Sequence, residues 1–358
     1  MKRSMLLCIL AALVIFTMAL GIACAPAAPA ATEAPAATEA VEEPVAEEPA
    51  AEEPAAEEPA AALSKIALLL PGSITDQSWN TSAYNGLEIL KGEGYETAFT
   101  ENVEVANIEA GFRNYANEGY ELIIGHGFQF GDAAIRVAEE YPDKYFFVFG
   151  KKPDGDAPAN VGFVDQKEFE GAYLCGALAA SVSKTGIIGF LGGIEGPSQQ
   201  ANQAAYTEGA KSVNPDITVL GIMAGTFSDP AKGKEAALAQ IEQGADVVMH
   251  TCDTTGLGLI EAAKEKGVYI IGYSADQNEL APDLMLTSLT ASIPDVIASQ
   301  VDRIISGEFS GVWKPGVADG IIGIAPYGSS VPADIAAAID ELKAKVISGE
   351  IVVTESYE

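Results

Sequence analysis

Short apolar runs alternate with amphipathic stretches from residue 65 to residue 149. The apolar runs predict strands at 65–70, 96–100, 122–124 and 145–149. The stretches between them have helical spacing and predict helices near 80–91, 105–118 and 132–141. This repeated order of strand, helix and strand is typical of a parallel, doubly wound α/β sheet.

The same rhythm restarts after a predicted helix at 168–183. It predicts strands at 187–191, 218–223, 247–250 and 269–272, separated by helices near 199–212, 230–243 and 256–266. Two halves of similar size predict two lobes, each with its own sheet. Because ligands of open α/β sheets bind beyond the carboxyl ends of the strands, the loops that follow the strands are the places to search for a site.

The first 63 residues show neither pattern. Lys2 and Arg3 precede an apolar run of eighteen residues at 5–22, which Ala23 and Cys24 follow. This is typical of a signal peptide, residues 1–23, that ends at a cysteine able to carry lipid. An uncleaved transmembrane anchor is the alternative, since such a run nearly spans a bilayer. Either interpretation places the remainder outside the cytoplasmic membrane, and we expect a lipid-anchored protein on the extracytoplasmic face of the cell membrane.

Residues 24–63 are predicted to form an extended, disordered tether. Prolines recur every five residues at Pro44, Pro49, Pro54 and Pro59, and each follows two glutamates. The segment contains no aromatic residue and almost no branched apolar residue. It therefore cannot offset the conformational entropy that folding would cost.

The part of the chain that follows the tether is strongly acidic. The tether holds 10 of the 51 acidic residues and the signal holds 2 of the 20 basic residues, which leaves residues 64–358 with 41 acidic and 18 basic ones. Such a surface repels phosphate backbones, so we expect no nucleic-acid partner. Cys175 and Cys252 are the cysteines of this part, and their apolar surroundings predict buried, unpaired thiols.

The loop after the first strand carries the strongest candidate chemistry. It places Asp76, Gln77, Trp79 and Asn80 at the opening of the first helix. A tryptophan among so many polar groups suits a platform for stacking a ring. The alternatives are that Trp79 belongs to the core and that Asn80 simply caps the helix.

The other strand-end loops add aromatic and acidic residues. Phe128 follows the third strand between glycines, and Phe227, Asp253 and Asp276 follow strands of the second half. Aromatic side chains from both halves predict a flat, largely uncharged ring held between the lobes. The two histidines have no metal-ligand spacing, and we expect no metal, no cofactor and no catalytic residue.

An enzymatic interpretation has one motif in its favour. Ser181 and Lys184 have the Ser-x-x-Lys spacing of penicillin-recognising enzymes, and the segment Lys184-Thr185-Gly186 matches their Lys-Thr-Gly. Because both matches use Lys184, they cannot supply two sides of one active site. We interpret them as chance matches.

Taken in order, these segments resemble the basic membrane protein family, which comprises purine-nucleoside-receptor-like substrate-binding lipoproteins of ABC importers. The family's motifs are matched by Asp76-Gln77-Ser78-Trp79-Asn80 and by the segments 127–133, 141–144, 184–186, 213–216 and 227–234. The match is collinear from Lys65 to the C-terminus. The segment 170–176 resembles the family's Glu-Gly-x-x-Leu-x-Gly helix start, in which Glu170 would face the cleft.

The resemblance implies a periplasmic-binding-protein type I fold, an α/β arrangement of two Rossmann-like lobes joined by a three-stranded hinge. We expect lobe 1 to span about 64–175 and 288–318, and lobe 2 about 176–287 and 319–358. The resemblance also implies a monomer that binds a small-molecule purine and works with an ABC permease and ATPase. A ligand sensor that acts through a receptor is the alternative, since it would use the same cleft.

Two departures from the family pattern bear on the ligand. Nucleoside-binding members carry Asp at the place of Ser274 and Lys at the place of Ala291, both on the ribose side. Trp79 and Asp253 instead resemble the subgroup that takes free nucleobases such as adenine. We therefore expect a purine nucleobase, with a purine nucleoside as the alternative. The expected ligand-binding residues are Asp76, Gln77, Trp79, Asn80, Phe128, Glu170, Phe227, Asp253 and Asp276.

Overall fold

The computed structural model describes residues 63–357, in which twelve strands form two six-stranded sheets. The strands are β1 (Lys65–Leu69), β2 (Glu96–Thr100), β3 (Leu122–His126), β4 (Tyr145–Phe149), β5 (Val161–Val164), β6 (Ile187–Gly192), β7 (Thr218–Met223), β8 (Val247–Thr251), β9 (Tyr269–Ser274), β10 (Met285–Ala291), β11 (Gly311–Trp313) and β12 (Ile322–Ile324). The first sheet has the order β11-β5-β4-β3-β1-β2 and is parallel throughout. The second has the order β12-β10-β9-β8-β6-β7 and is parallel except for the pair β10 and β12.

Helices cover both sheets. They are α1 (Trp79–Gly92), α2 (Ile108–Asn117), α3 (Gly131–Glu140), α4 (Glu168–Val182), α5 (Pro197–Val213), α6 (Pro230–Glu242), α7 (Asp253–Lys266), α8 (Ile293–Ile305) and α9 (Ala333–Ser348). The prediction of two doubly wound α/β lobes is confirmed. The pattern did not predict β5, β11 and β12, because strands of three or four residues carry too little periodicity. It also did not predict β10, α8 and α9.

Each sheet belongs to one lobe, and the chain crosses between the lobes three times. The crossings lie at 165–167, at 292 and at 314–321. The third crossing is bonded to both others, since Lys167 N donates to Pro315 O at 2.9 Å and Ser292 N donates to Ile321 O at 2.7 Å. The expected lobe boundaries near 175 and 288 differ from the observed crossings, because residue 175 lies inside α4 and residue 288 lies inside β10.

Helix α4 lies wholly in lobe 2 because it packs closely on α5 and is buried on almost all sides. A Cβ atom on Gly176 would lie 1.9 Å from the carbonyl oxygen of Tyr206, and one on Gly209 would lie 1.9 Å from that of Tyr173. The two backbones therefore touch at two points, and at each point a glycine of one helix faces the backbone of a tyrosine on the other. A helix held in this way cannot be divided between two lobes.

Two further features of the described residues bear on the expectations. No helix within residues 63–357 has the length and apolarity needed to cross a membrane. The predicted signal at 1–23, the lipid candidate Cys24 and the tether up to residue 62 lie outside the described residues. Cys175 and Cys252 are buried and unpaired, as predicted, and burial raises the pKa of both thiols. Such thiols are poor nucleophiles.

Candidate ligand-binding site

The loop between β1 and α1 is organised around the buried carboxylate of Asp76. Its oxygens accept hydrogen bonds from the backbone N–H groups of Ser78, Asn80 and Thr81 at 3.0, 2.8 and 2.9 Å. They also accept from Asn80 Nδ2 at 2.7 Å and from Thr81 Oγ1 at 2.8 Å. Asp76, rather than Asn80, therefore caps the first turn of α1. Asn80 extends the network, because its Oδ1 accepts from Gly72 N at 3.2 Å.

Trp79 presents its indole between lobe 1 and lobe 2. One partner is the imidazole of His126 at the end of β3, whose ring centroid lies 4.3 Å from that of Trp79 with an angle of 22° between the planes. Phe149 packs against the indole in an edge-to-face arrangement, with 6.0 Å between the ring centroids. Tyr273 of lobe 2 lies 6.5 Å away with its plane only 10° from that of Trp79. Trp79 is therefore anchored in lobe 1 and parallel to an aromatic ring of lobe 2.

His126 supports Trp79 as a neutral group. It is fully buried, and burial lowers the pKa of its imidazole to about 3. Its Nε2 lies 3.1 Å from the carbonyl oxygen of Trp79, which can only accept, so the proton resides on Nε2. The ring therefore fixes both the backbone and the indole of Trp79 without adding charge to the site.

Lobe 2 contributes a buried acid beside Tyr273. The phenol of Tyr273 donates to both carboxylate oxygens of Glu168 at 3.1 Å, and Asn202 Nδ2 donates to Glu168 Oε2 at 3.0 Å. Burial raises the pKa of the Glu168 carboxyl, although these donors partly oppose the shift. Tyr273 and Glu168 thus position each other in the interior.

Among the buried acids of this region, Asp253 has the carboxyl with the fewest hydrogen bonds. It begins α7 with φ at 47° and is only 7% exposed. Burial raises the pKa of its carboxyl well above the ordinary value, and the negative charges of Asp76 and Glu168 raise it further. No hydrogen bond joins this carboxyl to any of residues 63–357. Its oxygens are therefore open to a donor that comes from solvent or from a ligand.

Hydrogen bonds join the start of α1 directly to the end of β9. Ser78 Oγ donates to Tyr273 O at 3.2 Å, and Gln277 Nε2 donates to Gln77 O at 3.1 Å. The orientation of Gln277 is fixed because its Oε1 accepts from His250 Nε2 at 3.0 Å and from Tyr273 N at 3.1 Å. Trp79, Asp76, Tyr273, Glu168 and Asp253 therefore form one cluster across two touching lobes, which we call the ring site.

The remaining predicted residues lie elsewhere or contribute differently. Gln77 is exposed and meets lobe 2 through its carbonyl oxygen rather than its amide. Phe128 is 49% exposed at the carboxyl end of β3. Phe227 rests on the backbone of lobe 2, where its ring leaves no room for a side chain at Gly193.

Two predicted acids do not reach the ring site in this structure. Glu170 Oε2 accepts from Val317 N at 2.8 Å and so fastens the third crossing to α4. Asp276 is exposed and accepts from Asn278 N at 2.9 Å within the turn after β9. Both carboxylates already accept hydrogen bonds from backbone N–H groups.

Comparison with known proteins gives a consistent result. The family model described as ABC transporter substrate-binding protein PnrA-like, Bmp, matches residues 63–356. This chain belongs to the Bmp family. It is 33% identical over 305 residues to basic membrane protein A1 of Borrelia garinii subsp. bavariensis, with 83% of this chain and 90% of the relative covered. It is 31% identical over 297 residues to a purine-binding protein of Brucella abortus, with 80% of this chain and 82% of the relative covered.

Solved structures show the same fold as this Bmp-family chain. A solute-binding protein of an ABC transporter system from Conexibacter woesei matches with a TM-score of 0.68 and 27% identity, covering 82% of this chain and 100% of that one. A solute-binding protein from Aeropyrum pernix K1 matches with a TM-score of 0.75 and 22% identity, covering 82% and 94%. The periplasmic-binding-protein type I fold is thereby confirmed. The Bmp family is a family of substrate-binding proteins, which are extracytoplasmic.

The sequence analysis missed Glu168, Tyr273 and the supporting role of His126. No local signal separates Glu168 from Glu170, because each precedes a buried apolar residue, Ala172 or Leu174, by one helical turn. Tyr273 carried no such signal, because a tyrosine that ends an apolar strand is equally typical of a core residue.

Residues 63–357 give little support for a metal site or for the Ser-x-x-Lys pattern. Within residues 63–357 no group of three or more His, Cys, Asp or Glu side chains is arranged to hold a metal ion. The hydroxyl of Ser181 donates to the carbonyl oxygen of Ala177 inside α4 at 2.8 Å. It is therefore engaged within its own helix, which agrees with a chance match to the Ser-x-x-Lys pattern.

Proposed function

We propose that this protein captures a purine between its two lobes, outside the cytoplasmic membrane, and delivers it to an ABC permease and its ATPase. The observation that carries the proposal is Asp253, a buried carboxyl that lacks a hydrogen-bond donor within residues 63–357 and lies near the charges of Asp76 and Glu168. A ligand that fits must bring hydrogen-bond donors, and N–H groups provide them. Purines carry such donors on the ring and, in adenine and guanine, on an exocyclic amino group.

The aromatic groups of the ring site support a flat ligand. Trp79 and Tyr273 present nearly parallel planes from opposite lobes, and Phe227 lies on lobe 2 at the end of β6 and β7. Stacking on such faces adds about 0.5 to 1.5 kcal/mol per ring pair beyond the burial of area. The purine-binding relative from Brucella abortus supports the same ligand class.

We further propose that the ligand is a nucleobase rather than a nucleoside. The resemblance to nucleoside-binding members places Ser274 and Ala291 on the ribose side. Ser274 is buried with a short, neutral hydroxyl, and Ala291 has no polar side-chain group. Because neither side chain carries the charge that Asp and Lys provide in those members, sugar binding gains less here.

The N-terminal segment supplies the remaining part of the proposal. Cys24 after the apolar run would carry lipid, and the Pro- and Glu-rich tether would hold a monomeric binding domain near the permease. A tether of about forty residues near 3.1 Å per residue reaches on the order of 100 Å. Metabolic labelling of the intact chain with a radioactive fatty acid tests the anchor, and Cys24→Ala should abolish the label.

A panel of purines tests the proposed ligand class. The full chain in mild detergent should melt at a higher temperature with at least one of adenine, hypoxanthine, guanine, adenosine, guanosine and inosine. A ligand that binds only the folded state at about 100 times its Kd adds about 2.7 kcal/mol of stability. Amino acids and sugars serve as controls. A clear shift with one of them and none with any purine contradicts the proposal.

Calorimetry on matched pairs tests the preference for a base. Adenine should bind at least as tightly as adenosine, and guanine and hypoxanthine at least as tightly as their ribonucleosides, because Ser274 and Ala291 lack the charged groups expected to hold the ribose hydroxyls. A ribonucleoside that binds more than about tenfold tighter, equal to about 1.4 kcal/mol, would show that other residues hold the sugar. The nucleoside alternative would then replace the nucleobase.

A further inference from the structure

Two amide side chains begin the buried face of α5. Gln199 and Asn202 lie three positions apart in the first two turns of the helix, with only 6% and 1% of their surface exposed. Residues at this spacing share one face of a helix. The buried residues that follow on α5 include Ala205 and Tyr206, so the face becomes mostly apolar after the second turn. Asn202 donates to Glu168 Oε2 at 3.0 Å, which joins the polar part of this face to the ring site.

The orientation of the Gln199 carboxamide is fixed by its surroundings. Its oxygen, Oε1, accepts from Gly193 N at 3.2 Å and from Thr251 Oγ1 at 2.6 Å. A backbone N–H group can only donate, so the atom that faces Gly193 is the oxygen and not the nitrogen. No hydrogen bond joins the nitrogen, Nε2, to any of residues 63–357. This nitrogen is therefore open to an acceptor that comes from solvent or from a ligand.

The other buried glutamines among residues 63–357 use the same nitrogen within the protein. It donates to a backbone carbonyl oxygen in each of them, over 2.9 Å in Gln240, 3.1 Å in Gln277 and 2.7 Å in Gln300. Buried side-chain donors in proteins are ordinarily paired in this way. Gln199 differs from these three, because the fold uses the oxygen of its amide and leaves the nitrogen free.

Gln199 lies beside the part of lobe 2 that carries the ring site. Gly193 follows β6 and Thr251 ends β8, so the carboxamide joins the carboxyl ends of two neighbouring strands, the edge at which ligands of such sheets bind. The ring of Phe227 covers Gly193, where it leaves no room for a Cβ atom. Asp253 begins α7 two residues after Thr251. Gln199 is therefore linked to the segments that hold an aromatic face and an open carboxyl.

The open groups of Gln199 and Asp253 are complementary. Gln199 Nε2 supplies donors, and the Asp253 carboxyl supplies acceptors. The rim of a purine base presents acceptors and donors side by side. In adenine, N1 and N7 flank the exocyclic amino group, and N3 lies next to N9–H. The two side chains together can therefore bind an acceptor and a donor of the same base, which neither can do alone.

We infer that Gln199 is a specificity-determining residue, which donates from Nε2 to a ring nitrogen of the base while Asp253 accepts from a neighbouring N–H group. The inference rests on the proposed function, since the ring site must hold a purine for the pair to act. It adds an uncharged donor to a site whose other open group is an acid, and it fixes which edge of the base faces lobe 2.

Calorimetry on the full chain tests the inference with a base and its deaza analogues, in which a C–H group replaces one acceptor nitrogen of the rings. The base is the one of adenine, guanine and hypoxanthine that binds most tightly. One deaza analogue should bind about tenfold more weakly than the parent base, or weaker still, because its C–H group leaves Nε2 without an acceptor. In Gln199→Met the parent base should lose this advantage, so that the two bind within about threefold of each other.

The matched control is Gln200→Met, which changes the next residue of α5. Gln200 Nε2 donates to Glu195 Oε1 at 3.2 Å, so its amide is already paired outside the ring site. This variant should keep the affinity of the unsubstituted chain for the parent base and for every analogue. It should therefore also keep the discrimination that Gln199→Met removes.

A merely structural role for Gln199 gives a different result. Gln199→Met would then weaken the parent base and all analogues by the same factor, and that result overturns the inference. An unsubstituted chain that binds every analogue as tightly as the parent base also overturns it. If Gln199→Met does not fold, Gln199→Glu at about pH 9 decides, since an ionised carboxylate still accepts from Gly193 and Thr251 but cannot donate.

The same measurements separate this inference from the proposed function. If none of the three bases binds the unsubstituted chain, the purine proposal fails and the inference fails with it. If a base binds and its advantage over the analogues survives in Gln199→Met, the purine proposal stands and only the role of Gln199 is wrong.

Discussion

Replacing Asp253 with Asn is expected to weaken purine binding about 10- to 100-fold while stabilising the empty protein. The amide removes a charged acceptor, and a hydrogen bond to a charged group contributes about 1.5 to 3 kcal/mol. The substitution also removes a buried carboxyl that lies near the negative charges of Asp76 and Glu168, and its removal should stabilise the empty protein. Asn tolerates the positive φ of this position. Calorimetry with the purine and thermal melting without it measure the two effects.

The matched control for this substitution is Asp276→Asn, which changes an exposed acid in the turn after β9. It should alter neither purine affinity nor the melting temperature of the empty protein by a measurable amount. If Asp253→Asn binds the purine as tightly as the unsubstituted chain, Asp253 does not contact the ligand. If both properties fall together, Asp253 is a structural residue of α7.

The same carboxyl gives a dependence on pH with a defined sign. Burial and two neighbouring negative charges raise the pKa of the Asp253 carboxyl in the folded protein well above its ordinary value of 3.8. The contribution of this carboxyl to stability is therefore fully present below pH 3.8 and is lost as the pH rises through the raised pKa. N–H donors from a purine favour the ionised form, so binding releases a proton and affinity should rise with pH over the same range. Asp253→Asn should flatten both dependences.

Replacing Trp79 with Ala is expected to cost about 1 to 3 kcal/mol of purine binding, since the indole supplies the lobe 1 face for the ring. The half-buried indole also packs on His126 and Phe149, so the empty protein should melt at a lower temperature. Calorimetry on the folded variant separates the affinity from the stability.

Trp79→Phe provides the comparison that isolates the stacking face. A phenyl ring retains contact with His126 and an aromatic face toward lobe 2, so this variant should keep most of the affinity and most of the stability. Unchanged affinity in Trp79→Ala would show that the indole belongs to the core and that the ligand stacks elsewhere. Phe227→Ala then becomes the variant that locates the ring.

Much of the fold and part of the ring site follow from local sequence. Apart from β5, the strands and helices from β1 to β9 follow from the alternation of apolar runs with helical spacing, because each element buries one face or one run and needs few distant residues to define it. The Asp76 loop is also local, since its donors Ser78, Asn80 and Thr81 lie within five positions of the carboxylate. The local pattern also placed Trp79, Phe227 and Asp253 shortly after predicted strands.

Only the tertiary structure decided which of these side chains meet. Glu168 and Glu170 are equally acidic and both begin α4, and the packing of α4 on α5 directs the first toward Tyr273 and the second toward Val317. The raised pKa of Asp253 depends first on its burial and then on the charges of Asp76 and Glu168, which are far away in sequence. A cavity beside the second and third crossings joins Ser82, Ser274 and Lys343, residues from three distant segments. Contacts between distant segments depend on how whole lobes pack, and no local pattern of apolar and polar residues encodes that arrangement.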